Sequence, residues 1–298
     1  MKILLSTDGS SHAARALELG KRVALRAASA VDILAVAEGD RAQGDREEKT
    51  RRMAEATAAD LGAAGIPAVI HWRTGRMAEQ VVLQAKAAPY DLVIIGSRGR
   101  RGVKRLLLGS VALHVTEHVP TSVLVVKGRA RDLSRFLVCT SAGPTSEYTV
   151  RFAGRLARAL GASITLLHVM SQVVLAEDAV SDDLEASAQE LIEHGSREGV
   201  HLSQMLHLLA AEGQGGRAVV RHGLVLDEII AEVREGRHDL LVTGAHVTPG
   251  LNARLVDDLR ADILLAANCP VMVVPEMVVP EMPEVVPEMA HGSSDDCS

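Results

Sequence analysis

The sequence predicts an α/β fold built twice: two tandem, doubly wound, five-stranded parallel-sheet domains in one chain. Three observations predict it. The chain has 298 residues, about twice an ordinary domain of roughly 150. Its halves repeat one another over most of their length, and a repeat that long is a duplicated domain, since solenoid units run roughly 20–50 residues. Within each half, short Val/Ile/Leu runs alternate with Ala/Leu/Arg/Glu segments at helical spacing. Near-continuous apolar strands separated by helices belong to a parallel sheet covered on both faces.

Taken in order, strands are predicted at 2–7, 31–37, 67–72, 91–96 and 121–127, giving a first domain at 1–127. The polar stretch GRARDLS (128–134) reads as a linker. The second domain, 135–275, has strands near 135, 163, 217, 239 and 270. Asp8 aligns with Ser141 and Val36 with Val169 at an offset of 133; Asp91 aligns with Asp239 at 148, and Pro120 with Pro270 at 150. The rise in offset predicts an insertion of about fifteen residues before the third strand of the second half and two more in its fourth loop. Residues 276–298 form a low-complexity tail. VVPEM occurs three times from Val273 onward, and proline at that density cannot extend a central strand, so a mobile or extended segment is expected.

Composition removes several functions. Hydrophobic residues make up 47% of the chain but aromatics only 2%, so the core is aliphatic and there are few rings to stack bases of single-stranded nucleic acid. A net charge of −6 gives no global attraction to phosphate backbones or anionic membranes, and any anion site has to be local. No uncharged apolar run reaches the roughly 18 residues of a membrane span, so the expected location is the cytoplasm. Cys139, Cys269 and Cys297 form no CxxC pair and are expected to be inert thiols, not a disulfide framework.

The informative segment follows the fourth strand. GSRGRRGVKRLLLGSV places Gly96, two residues, Gly99, nine residues, then Gly109 and Ser110 at a helix start. Glycines let the backbone turn and approach an anion, and a helix N-terminus presents unpaired N–H groups with a favourable dipole. Arg98, Arg100, Arg101, Lys104 and Arg105 put five cations in eight residues. Asp8 ends the first strand, and in a doubly wound sheet ligands lie at the carboxyl ends of strands where the order reverses. If strands one and four are neighbours there, a carboxylate suited to ribose hydroxyls faces a loop suited to phosphates, which describes a nucleotide. Asp8 alone reads equally as a helix N-cap.

With these residues in place the chain resembles the universal stress protein family: a first strand ending in LLSTDGS, then G-x2-G-x9-G-S, then a closing P-x-x-V-L-V-V strand. The resemblance implies Rossmann-like domains of strand order 3-2-1-4-5 and association through the fifth strands. It also implies ATP, with or without Mg²⁺, as the ligand. Asp8 would hold the ribose and the Val36 backbone the adenine. Ile95, Gly96, Arg98, Gly99, Gly109, Ser110 and Val111 would wrap base, ribose and phosphates.

The second half departs from the pattern. Ser141 replaces Asp8, Val247 stands near Gly99, and Leu259 and Arg260 fall where Gly109 and Ser110 would be. One nucleotide per chain is therefore expected, with a different ligand held through His222 or His246 as the lesser alternative. HVTEH (114–118) matches an inverted zinc-protease pattern but lacks a third ligand, so no metal site is expected. GQGGRA (213–218) precedes a strand where a dinucleotide fingerprint should follow one, and it reads as a loop.

The expected function is an ATP-binding stress-response and regulatory protein, read by an unknown protein partner. No Glu, His or Asp of the motif is placed to activate a water, so no catalytic residue is expected. Slow hydrolysis or autophosphorylation at Ser110, and a scaffold with a vestigial nucleotide site, are the alternatives. Pairing of the fifth-strand edges would make the chain an intramolecular pseudo-dimer, with a further homodimer open.

Overall fold

KILLST opens the chain as β1 (Lys2–Thr7), buried from Ile3 onward. The computed structural model describes residues 1–37, 43–97, 109–128, 132–141, 145–170, 186–245 and 253–275. After β1 come α1 (Ser11–Arg26), β2 (Ala30–Ala37), α2 (Gln43–Ala63), β3 (Ala68–Thr74), α3 (Met77–Ala87), β4 (Leu92–Gly96), α4 (Ser110–His118) and β5 (Ser122–Val126). The second half supplies β6 (Arg135–Cys139), α5 (Thr145–Leu160), β7 (Ser163–Met170), α6 (Ala188–His194) and α7 (Arg197–Ala211). It closes with β8 (Gly216–His222), α8 (Val225–Glu235), β9 (Leu240–Gly244), α9 (Ala253–Ala266) and β10 (Val271–Val274).

The strands form one ten-stranded sheet in the order β3-β2-β1-β4-β5-β10-β9-β6-β7-β8. Each half thus has the 3-2-1-4-5 order, parallel throughout. The halves join where β10 runs antiparallel to β5, with Met272 opposite Leu124. Because the two halves run in opposite directions, the carboxyl ends of their strands lie at opposite edges of the sheet. Lys127, at the end of β5, strengthens the junction by donating to the Leu264 carbonyl at 2.6 Å and the Leu265 carbonyl at 3.2 Å, capping the end of α9.

Continuous apolar strands need helices on both faces. One face buries Leu17 and Val23 of α1, Leu61 of α2, Leu156 of α5 and Met205 of α7. The other buries Val81 of α3, Val115 of α4, Ile229 of α8 and Ile263 of α9. No described helix is long and apolar enough to cross a membrane.

The insertion before β8 coincides with a second helix. Where the first half has α2 alone, the second has α6 and α7. Ser187 and Glu190 form a capping box on α6, Gly195 ends it at φ +67, and Ser196 caps α7. Gly199 lets the two cross closely, since a Cβ there would stand 1.9 Å from the Leu191 carbonyl oxygen.

Each half also buries one carboxylate under its α3-type helix. In the first, Asp32 accepts from Tyr90 Oη at 2.5 Å and His71 Nε2 at 3.1 Å, and pairs with Lys2 Nζ at 3.0 Å. Burial raises its pKa, but those partners outweigh burial and hold it below its ordinary value. Burial, then the Asp32 bond, pushes Tyr90 up to about 12. In the second half Thr165 replaces Asp32 and the carboxylate moves to Glu232. It meets Arg221 at 2.8 Å and His238 at 3.2 Å.

Candidate functional site

The crevice lies where β1 sits between β2 and β4, so the strand order reverses beside Asp8. Asp8 follows β1 directly and is only 6% exposed. Its Oδ1 accepts the Ser10 N–H at 3.0 Å. Ser10, not Asp8, is the N-cap of α1, its side chain accepting from the Ala13 N–H. The N-cap reading of Asp8 is therefore corrected: the aspartate shapes the turn with one oxygen, and Oδ2 has no bond among the described residues. Gly9 follows at φ +75, and a Cβ there would stand 2.6 Å from Thr50 Oγ1 on α2, so the turn accepts only glycine without a shift.

Val36 is buried near the end of β2. The Val31 N–H donates to the Pro67 carbonyl at 2.9 Å and the Gly75 N–H to the Ala37 carbonyl at 3.1 Å, so odd positions of β2 face β3. By alternation Val36 turns its N–H and C=O toward the β1 side; with Thr7 opposite Ala35 the N–H falls to the Thr7 carbonyl, the last rung of the ladder, and the C=O lies just past the end of β1. The Gly9 N–H, which a continued ladder would give to the Val36 carbonyl, goes to Thr7 Oγ1 at 3.2 Å.

Ile95 and Gly96 end β4. A Cβ on Gly96 would stand 2.8 Å from both C and O of His12 and 3.1 Å from the Ala13 nitrogen, all backbone atoms of α1. Glycine is thus required here by helix packing, whatever it offers a ligand. The Ser97 N–H donates to the Val126 carbonyl at 3.1 Å, and the Gly109 N–H donates to the Ser97 carbonyl at 3.0 Å. Both ends of the glycine loop are therefore pinned to one spot. Gly109 is the N-cap of α4, without a side-chain cap, and Ser110 and Val111 open the helix. The first N–H groups of such a helix have no intrahelical acceptor. Arg98, Gly99, Arg100, Arg101, Lys104 and Arg105 lie outside the described residues. Asp8, Val36, Ile95, Gly96, Gly109, Ser110 and Val111 are brought to one edge of the sheet.

His12 and Arg15, in the first turn and a half of α1, were missed by motif reading. Arg15 Nη2 lies 2.6 Å from His12 Nδ1. A guanidinium only donates, so Nδ1 is the acceptor and His12 carries its proton on Nε2. The signal that could have found them is the repeat: at the offset of 133 they become Thr145 and Tyr148, changed together with Asp8.

The second half is built differently at the matching edge. The Ser141 N–H donates to Ser146 Oγ at 2.9 Å, and Ser146 Oγ donates back to the Ser141 carbonyl at 2.6 Å. Leu259 and Arg260 lie inside α9, which starts at Ala253, so no helix begins where α4 does. His168 Nδ1 donates to the Thr140 carbonyl at 3.3 Å, and its ring is 6.1 Å from that of His201, whose Nε2 is buried without a partner among the described residues. Burial lowers the pKa of both. His222 donates to the Ala186 carbonyl at 3.2 Å; His246, Val247 and Cys297 lie outside the described residues.

His114 and His118 stack with ring centroids 4.1 Å apart, and no group of three or more metal-capable side chains occurs among the described residues. Burial raises the thiols of Cys139 to about 12 and Cys269 to about 11, leaving them protonated near neutral pH. A groove of about 510 Å³ lined by Tyr90, Asp91, Pro120, Thr121 and Tyr148 opens at the amino-terminal edge of β4, away from Asp8.

A duplicated, doubly wound α/β chain with a glycine-delimited loop at its switch point defines a class that comparison resolves to a family. The profile described as "Universal stress protein family" matches residues 1–127 and again 133–275. The chain belongs to that family. It is similar to Universal stress protein YxiE of Bacillus subtilis, 25% identical over 145 residues that cover 42% of this chain and 98% of that protein. A universal stress protein structure from Archaeoglobus fulgidus superposes with a TM-score of 0.68 at 20% identity, covering 92% of this chain and 98% of its own. One from Pseudomonas aeruginosa gives 0.64 at 16% identity, with 92% of each chain covered. These structures share the fold.

Proposed function

We propose that this chain is an ATP-binding regulatory protein of the universal stress class, holding one adenine nucleotide in its N-terminal half. The observation that carries the reading is the convergence of Asp8 Oδ2, the Val36 backbone edge and the start of α4 on one switch point. Each fits a part of the ligand. Oδ2 accepts from a ribose hydroxyl. The Val36 C=O, which no β1 N–H takes up, accepts from the adenine amino group, so the base is read by backbone, which suits a chain with few rings. The N–H groups at the start of α4 and the Ser110 hydroxyl donate to phosphate oxygens. Ile95 and Gly96 form the floor, and Arg98 and Gly99 complete the loop around the phosphates. Any Mg²⁺ would arrive with the nucleotide.

Binding beside Ser97 and Gly109, which are hydrogen-bonded to each other, would change the surface that a partner protein reads. The second half serves as structural partner through β5 and β10, with Ser141 bonded to Ser146 where the first half has Asp8. A calorimetric titration with ATP tests the reading. A stoichiometry near one, lost in Asp8→Ala and kept in Ser141→Ala, supports it. Two sites, or binding indifferent to Asp8, would overturn it.

A further inference from the structure

The cations of α1 are not equivalent. Lys21 pairs with Glu18 at 3.1 Å and Asp60 at 2.6 Å. Arg22 pairs with Glu18 at 3.1 Å and Asp132 at 3.6 Å, and Arg26 with Asp132 at 3.7 Å. Arg15 has no carboxylate within ion-pair distance among the described residues. It is partly buried, and among the described residues its Nε is buried without a hydrogen-bond partner and its side chain bonds to a neutral acceptor, His12 Nδ1. A partly desolvated guanidinium with an unmade donor and no counter-charge among the described residues is costly unless an anion completes it.

Its position says which anion. Side chains on a helix lean toward its N-terminus, and the N-terminus of α1 lies at the crevice edge. The His12 backbone rests on Gly96, 2.8 Å from where a Cβ would be. Ser97, the next residue, receives the Gly109 N–H and so marks both ends of the phosphate loop. The pair also follows the site through the duplication. The half with Asp8 has His12 and Arg15; the half with Ser141 has Thr145 and Tyr148 in their places.

We propose that Arg15, oriented by His12, binds the phosphate chain of the nucleotide and makes the site select adenine nucleotides over adenosine. The proposal rests on the nucleotide-binding reading above and adds to it a specificity residue outside the glycine loop. Arg15 supplies the charge and a forked donor set. His12 is a positioning residue: its Nδ1 holds one guanidinium nitrogen, leaving the rest of the fork for phosphate oxygens.

Titrations of wild type, Arg15→Met, Arg15→Lys and His12→Leu with ATP, AMP and adenosine test it, with circular dichroism confirming the fold of each. Arg15→Met is expected to weaken ATP about ten- to hundred-fold and adenosine less than about twofold, with AMP between. Arg15→Lys should regain part of the ATP affinity, and His12→Leu should give a smaller loss in the same ligand order. Equal weakening of all three ligands, or unchanged ATP affinity in folded Arg15→Met, overturns the proposal while leaving nucleotide binding intact. A wild type that takes up none of the three overturns the functional reading and the proposal with it.

Discussion

Gly96→Ala separates two reasons for a glycine at the start of a phosphate loop. The added Cβ would stand 2.8 Å from His12 C and O and 3.1 Å from Ala13 N. These are backbone atoms of a helix already packed on β1, β4 and β5, so no flexible side chain can swing away. Overpacking of this kind costs about 1–3 kcal/mol, offset by the roughly 0.5–1 kcal/mol that alanine gains over glycine in ordered backbone. Taking the middle of each range, the net loss is about 1.3 kcal/mol, a fall of about 3–5 °C in Tm. Gly62→Ala is the control. That glycine lies on α2 with nothing within 4 Å, and its replacement should be neutral or stabilise by about 0.4–1 kcal/mol. Thermal and urea unfolding of both variants without nucleotide give the answer. A Gly96→Ala protein as stable as wild type that has lost only ATP affinity would refute the packing argument and return the glycine to the ligand alone.

Three further outcomes follow from the same packing. Tyr90→Phe removes the hydroxyl that donates to the buried Asp32 at 2.5 Å and should cost about 1–3 kcal/mol in urea unfolding; a loss below about 0.5 kcal/mol would contradict the role given to the bond. His168, His201 and His238 are held below their ordinary value chiefly by burial. Their folded pKa values lie under the unfolded one, so their stability contribution is full above about pH 6.5 and is lost as the pH falls through the folded values. Urea midpoints should drop on acidification, less so in His201→Gln, and an equal drop in that variant would remove His201 from the account. Gly199→Ala sets a Cβ 1.9 Å from the Leu191 carbonyl oxygen. It should lower stability by at least about 1–3 kcal/mol and raise amide exchange in α6; unchanged exchange there would show that the helices part without cost.

The fold was legible because its signals are local and repeated. Val/Ile/Leu runs such as those at 31–37 and 91–96 carry burial on both faces in each residue, and the second copy reproduces them at a nearly constant offset. Asp8, Gly109 and Ser110 were legible because glycine spacing and a strand-end carboxylate are readable without knowing what lies across the sheet. The reason for Gly96 was not, since the atoms that exclude a Cβ belong to His12, 84 positions earlier in the chain. Nor was the buried anion of each half. The Tyr90–Asp32 bond spans 58 residues, and its counterpart moves from a strand to Glu232 on a helix, so the offset comparison alone pairs Asp32 with Thr165 and shows nothing. His12 and Arg15 belong to no motif and gain meaning only once α1 is seen resting on β4.

The central claim is that the duplication left one nucleotide site, in the half that keeps Asp8. Native mass spectrometry of the whole chain with ATP counts ligands directly. The account predicts one bound nucleotide on wild type and on Ser141→Ala, and none on Asp8→Ala. Two bound nucleotides, or one that persists in Asp8→Ala, would contradict it.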